Sequence, residues 1–208
     1  LRFFNTLIQQ FFLLLVLLFG ILIFSGKLVE AKPPSLDLPI ACTPGLNCWL
    51  INFVDHDPSM GVRDFRCEDH LYNGHKGTDI AIRDLKAMYE GVPVRATAPG
   101  RVVALRDGMQ DKIPTSNFRL NAKNRYCGNG VVIDHYNGWE TQYCHLRRDS
   151  IIVERGQDVG RGQRLGFVGH SGMAEFPHVH LSVRYRGRVI DPFVGQGQIE
   201  DCKLGKEP

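Results

Sequence analysis

The sequence lacks a strong charge excess: across 208 residues, 25 Lys and Arg stand against 22 Asp and Glu, a formal net charge of +3. Binding dominated by phosphate neutralisation needs a much larger basic surplus, which argues against a nucleic-acid partner. A phosphate-cradling loop is missing as well, because the Gly-rich segment 156–169 contains no Gly-Lys-Ser/Thr and reads as short turns and strands. No pair of cysteines has the Cys-x2-4-Cys spacing of a zinc knuckle. Long helical periodicity is absent too, and this disfavours bundles and α/β architectures. With 23% charged and 43% hydrophobic residues, the composition excludes a disordered, collagen-like or multi-span membrane chain. The length accommodates one domain with an ordinary core and one appendage.

One long apolar run is present. Phe11 to Phe24 is apolar throughout and follows Arg2, the order of a charged n-region and an h-region of signal-peptide length, short for a membrane span. Val29-Glu30-Ala31 places small residues at −3 and −1 of a cleavage site, so that the mature chain begins at Lys32. Left uncleaved, residues 1–31 become an anchor and the one point of membrane contact. Either outcome exports the rest of the chain. All six cysteines, at 42, 48, 67, 127, 144 and 202, follow this segment, and their even number suits disulfides in an oxidising compartment. Of fifteen possible pairings, Cys42 with Cys48 is the readiest, closing a small loop around the turn former Pro44-Gly45.

Residues 32–39 read as a Pro-containing linker, 40–73 as a Cys-containing N-terminal extension, 74–194 as the main domain and 195–208 as a tail. Short runs rich in Val, Ile, Thr and Tyr, punctuated by Gly and Pro, predict an all-β, antiparallel domain. The expected strands are Val92–Thr97, Arg101–Arg106, Gly130–Tyr136, Trp139–Leu146, Arg164–Val168 and Val179–Tyr185. Asn137-Gly138 predicts a type I′ hairpin, whose two central positions both need positive φ. Asp107–Gly128 is a long polar insertion carrying Arg119, Lys123 and Arg125, of a length that points to the rim of a binding site.

Eight histidines are present; two segments place them with ligand-like spacing, and a third contributes His145 as a candidate acid, base or oxyanion partner. In Gly74-His75-Lys76-Gly77-Thr78-Asp79 an imidazole and a carboxylate lie four residues apart, too far to share an ion on a straight strand, so the chain must curl at Gly77. In Pro177-His178-Val179-His180, alternation puts both imidazoles on one face of a strand, where one can bind a metal while its neighbour handles a proton. In Tyr143-Cys144-His145-Leu146, alternation puts Tyr143 with His145 and turns Cys144 away, which disfavours a Cys–His nucleophilic pair. His56, His70, His135 and His170 read as packing or solvated residues. No His-Glu-x-x-His segment occurs, so the helical zinc-peptidase arrangement is excluded.

Together with Val92-Pro93-Val94, Ala98-Pro99-Gly100, Gly128-Asn129-Gly130 and Val159-Gly160-Arg161-Gly162-Gln163, these segments resemble, in order from Gly74 to Pro192, the lysostaphin- or LytM-type zinc metallopeptidases that cut bacterial peptidoglycan. The resemblance implies the antiparallel lysostaphin-type (duplicated hybrid motif) fold and makes 74–194 the metallopeptidase domain. It implies one Zn2+ per chain on His75, Asp79 and His180, with the fourth position left for water, and His145 and His178 as catalytic histidines. His178 is then the candidate general base and His145 the oxyanion partner, an assignment that spacing leaves open to exchange. Peptidoglycan is the expected partner and the periplasm the expected compartment. The rival is a non-catalytic peptidoglycan-binding or amidase-activating module, although such members typically lack ligands and every family position is filled here. Gly172-Met173-Ala174-Glu175-Phe176 departs from the family pattern, which more often shows small and hydroxyl residues there.

Overall fold

A computed structural model describes residues 32–122 and 124–195. Residues 1–31, read as an export segment, and the expected tail from 196 onward therefore lie outside the described residues; among those described, no helix is long and apolar enough to cross a membrane. The fold is antiparallel β throughout its ladders.

The strands are β1 (Cys48–Asn52), β2 (Thr78–Ile82), β3 (Pro93–Arg95), β4 (Gly100–Arg106), β5 (Asn129–Asp134), β6 (Trp139–Leu146), β7 (Asp158–Val159), β8 (Arg164–Phe167), β9 (His178–Tyr185) and β10 (Arg188–Ile190). The main sheet runs β1-β2-β9-β6-β5-β4-β7, with β10 added to β9, and β3 and β8 form a separate two-stranded sheet. Valines and isoleucines recur at alternate positions, and one face of each central strand goes into the core: Val179, Leu181 and Val183 of β9 and Val131 and Ile133 of β5 are all buried. Tyr143 is wholly buried and spans the interior, its Oη bonding the Thr97 backbone N–H at 2.8 Å and the Thr141 hydroxyl at 3.0 Å.

All six expected strands are present, β6 with the bounds read from the sequence and the others shifted by one to a few residues at their ends. Strands β1, β2, β7 and β10 were not anticipated. Nor were two six-residue helices, α1 (Leu85–Glu90) and α2 (Ser116–Asn121), although each carries a legible cap. Asp84 accepts from the Ala87 N–H and Thr115 from the Phe118 N–H. The Asn137-Gly138 turn forms as read, with φ of 52° and 88° and the Tyr136 carbonyl accepting from the Trp139 N–H. Tyr136 adds a third positive φ, 65°. The Cys42–Cys48 disulfide also forms as read, and a second bridge joins Cys127 to Cys144.

Candidate metal centre and active site

The centre of the sheet positions the site. Strand β9 lies between β2 and β6, and its His180 is directly opposite Asp79 on one side and Cys144 on the other. Directly opposed residues share a face, so Asp79 and His180 meet. His75 reaches them from the loop before β2. His75 Nε2 lies 3.2 Å from Asp79 Oδ1 and 3.1 Å from His180 Nδ1, and His180 Nδ1 lies 2.8 Å from Asp79 Oδ1. Three ligands of a tetrahedral zinc ion sit about 3.3 Å apart, given bonds of about 2.0–2.1 Å. The three atoms therefore fit one face of such a site, and they are the one His/Cys/Asp/Glu group of metal-binding geometry among the described residues.

The surrounding hydrogen bonds favour a cation there. His75 donates from Nδ1 to the Phe53 carbonyl at 2.6 Å, leaving the Nε2 lone pair for a metal. Asn52 Nδ2 donates to Asp79 Oδ2 at 2.9 Å, which turns Oδ1 toward the imidazoles. Burial alone would raise the Asp79 pKa, but hydrogen bonds and charge from His180 and His75 outweigh it and hold the carboxyl ionised far below the usual range. His75 shows the complementary balance: burial pulls its pKa down, and the bond and charge of Asp79 lift it above the ordinary value.

Gly77 lies in the curl between His75 and Asp79. The chain bends there as the spacing requires, but with an ordinary φ; the property that glycine supplies is room. A Cβ on Gly77 would stand 2.6 Å from His180 Nε2 and 2.5 Å from the Leu181 carbonyl oxygen, so the His180 ring can lie against bare backbone.

His145 and His178 flank the cluster. Their ring centroids are 4.6 Å apart, and His178 Nε2 lies 3.8 Å from Asp79 Oδ1. Each donates from Nδ1 to a carbonyl, His145 to Ser171 at 2.8 Å and His178 to Phe176 at 2.9 Å, so each neutral ring keeps Nε2 as an acceptor. Burial and the neighbouring imidazoles His178 and His180 push the His145 pKa well below its ordinary value. Burial lowers that of His178 despite the opposing charge of Asp79.

The route by which His145 reaches the site corrects the alternation reading. Tyr143 faces the core, away from His145, because the β5–β6 register slips by a residue between the Val131↔Tyr143 and Asn129↔Leu146 pairs. The extra residue makes a β-bulge, and His145 sits in it at φ 65°, a backbone conformation that costs a non-glycine residue on the order of 1–3 kcal/mol. The bulge re-aims the ring toward His178. Cys127 secures this bend twice, accepting from the His145 N–H at 2.8 Å and bridging Cys144. Cys144 is thus neither ligand nor nucleophile.

Comparison with known proteins supplies the family. The family model described as Peptidase family M23 matches residues 73–192, more than half of the sequence. The chain belongs to peptidase family M23. Over 117 residues it is 37% identical to the peptidoglycan DD-endopeptidase ShyA of Vibrio cholerae, a match covering 56% of this chain and 22% of that protein. Over 119 residues it is 30% identical to the murein hydrolase activator NlpD of Salmonella dublin, covering 57% of this chain and 25% of NlpD. The chain's matches thus span about a quarter or less of these relatives. Among solved structures, the SpoIIIAH–SpoIIQ complex holds a chain superposable at a TM-score of 0.52 and 22% identity, covering 76% of this chain and 97% of that one, a likeness of fold.

In this M23 chain, sequence reasoning missed the residues that orient the His75 and Asp79 side chains. Asn52 and the Phe53 carbonyl lie upstream of the family match, and Ser182 Oγ fixes the His75–Asp79 loop by donating to the Lys76 carbonyl at 2.7 Å. A carbonyl acceptor leaves no residue-type signal, and β1 becomes visible only once β2 is known to need a partner. The remaining histidines stand apart from the cluster: His56 pairs with Asp191 at 2.9 Å, and His135 bonds the Pro99 carbonyl and Thr141. Replacing Asn52 with Ala is expected to weaken zinc binding 10- to 100-fold, on the order found when a group orienting a metal ligand is lost. Competition with a zinc chelator dye reads this, and unchanged affinity would show that Asn52 does not orient Asp79.

Proposed function

We propose that this M23 chain is an exported zinc metalloendopeptidase, working in the periplasm on peptide stems or crosslinks of bacterial peptidoglycan. The observation that carries the reading is the pairing of a complete ligand triangle, His75, Asp79 and His180, with two buried imidazoles whose Nδ1 atoms are already engaged. The name of ShyA supports peptidoglycan as the substrate class, and the cysteine bridges support an oxidising compartment.

A zinc ion held by the three ligands would polarise the scissile carbonyl and make water nucleophilic near neutral pH. His178, whose Nε2 lies 3.8 Å from Asp79 Oδ1, accepts the proton of the attacking water at Nε2 and returns it to the leaving amine. His145 has the same Nδ1–H tautomer, so it donates to a developing oxyanion only after taking a proton at Nε2 itself. Both rings are buried, which limits access of competing water.

A second reading, an amidase-activating module, draws on the similarity to NlpD. Incubating the zinc-loaded protein with purified sacculi and following new amines and muropeptides by mass spectrometry separates the two. Defined peptide cleavage that is lost in Asp79→Asn is the expected result. Sacculus binding without cleavage, together with stimulation of an added amidase, would replace the enzyme reading with the activator.

A further inference from the structure

The insertion between β4 and β5 builds a cavity of about 460 Å³, lined by Met109, Lys112, Asn117, Phe118, Arg125 and Gly172 among others. Its walls are held by the body of the domain. Asp107 accepts from the Asp149 and Ile151 N–H groups, and Asp111 accepts from those of Arg148 and His170. The buried Asn129 side chain grips Met109 from both sides, taking its N–H and donating to its carbonyl at 2.8 Å each. Helix α2 is tied across by Arg119 to Glu175, 2.6 Å apart. Backbone bonds of this kind fix a loop in one shape, which a binding wall requires.

The same segment that closes this cavity also holds the catalytic histidines. Ser171, whose carbonyl takes the His145 Nδ1–H, precedes the lining residue Gly172. Glu175, which anchors α2, precedes Phe176, whose carbonyl takes the His178 Nδ1–H. At Gly172 (φ +79°) a Cβ would stand 2.4 Å from Gly128 N, so glycine is what allows this wall to close against the end of the insertion. A molecule held in the cavity therefore lies beside the segment on which both imidazoles are oriented.

The lining chemistry selects the occupant. Among the described residues no Asp or Glu lines the cavity, while Lys112 and Arg125 do, and neither has an ion-pair partner there. Arg125 lies 5.4 Å from the Phe118 ring centroid, which orders a cation that remains free to bind. Amides from Asn117 and Asn121, with the apolar Met109 and Pro114, complete a surface suited to peptide backbone carrying a carboxylate. We propose that this cavity is a substrate subsite that binds a free carboxylate of a peptidoglycan peptide stem, through Lys112 and Arg125. The proposal rests on the reading of peptidoglycan peptides as substrate.

Binding is tested apart from hydrolysis. The full zinc-loaded protein is titrated with a soluble tetrapeptide stem bearing free carboxylates and with the same peptide converted to carboxamides. The wild-type protein is expected to bind the free acid on the order of 10-fold more tightly, and Lys112→Gln/Arg125→Gln to bind both peptides alike at the weaker level. Both side chains are exposed, so the double variant keeps the fold, checked by its thermal unfolding. Equal affinity of wild type for the two peptides, or undiminished discrimination in the double variant, overturns the subsite, as does hydrolysis of sacculi with no stem binding dependent on these residues. Charge-dependent binding by a protein that cuts nothing retains the subsite and removes the hydrolase.

Discussion

Replacing His180 with alanine is expected to abolish metal binding and peptide hydrolysis together. The side chain supplies one of three mutually close donor atoms, and its loss leaves His75 Nε2 and Asp79 Oδ1 as a two-point site whose buried carboxylate has lost its shortest imidazole contact. Burying that charge with one imidazole partner fewer is itself costly, so the melting temperature should fall too. Two measurements check this: zinc content per chain after dialysis, and amine release from sacculi. Stoichiometric zinc in His180→Ala would remove this residue from the ligand set.

His178→Ala is expected to dissociate the two losses. The ring touches the cluster only at 3.8 Å and is held by the Phe176 carbonyl, so zinc should remain at one per chain while kcat falls by about 10² to 10⁴, the usual worth of a positioned general base. His145→Ala gives the control, since its Nε2 is an acceptor in the same tautomer. A larger loss of kcat in His145→Ala than in His178→Ala would exchange the two roles. Loss of zinc in His178→Ala would mean that a ligand has been taken for the base.

Much of the fold was legible in period-two patterning, since central strands such as β6 and β9 alternate more and less buried positions over much of their length and are bounded by turn residues. Strand β2 escaped notice because its Thr-Asp-Ile-Ala-Ile segment was read for its ligands, and β1 because Cys48–Asn52 lay in what read as a separate extension. Helix α1 was concealed by its brevity, although Asp84 and Gly91 mark both of its ends. At the site, the expected ligands and histidines lie together because β9 pairs with β2 and β6 at once. The position of His145 could not be derived from alternation, which fails wherever a bulge inserts a residue. The slip is fixed by pairing with β5, a long-range property.

The bonds from β1 to the site have a thermodynamic consequence. The Phe53 carbonyl and the Asn52 amide, 22 and 27 residues from the side chains that they bond, make the geometry of His75 and Asp79 conditional on an edge strand being in place. Any ion that prefers the oriented ligands then adds part of its binding free energy to the docking of that strand. Metal occupancy and the order of the N-terminal edge would then form one linked equilibrium, in which chelation is expected to loosen β1 and fraying of β1 to release the ion.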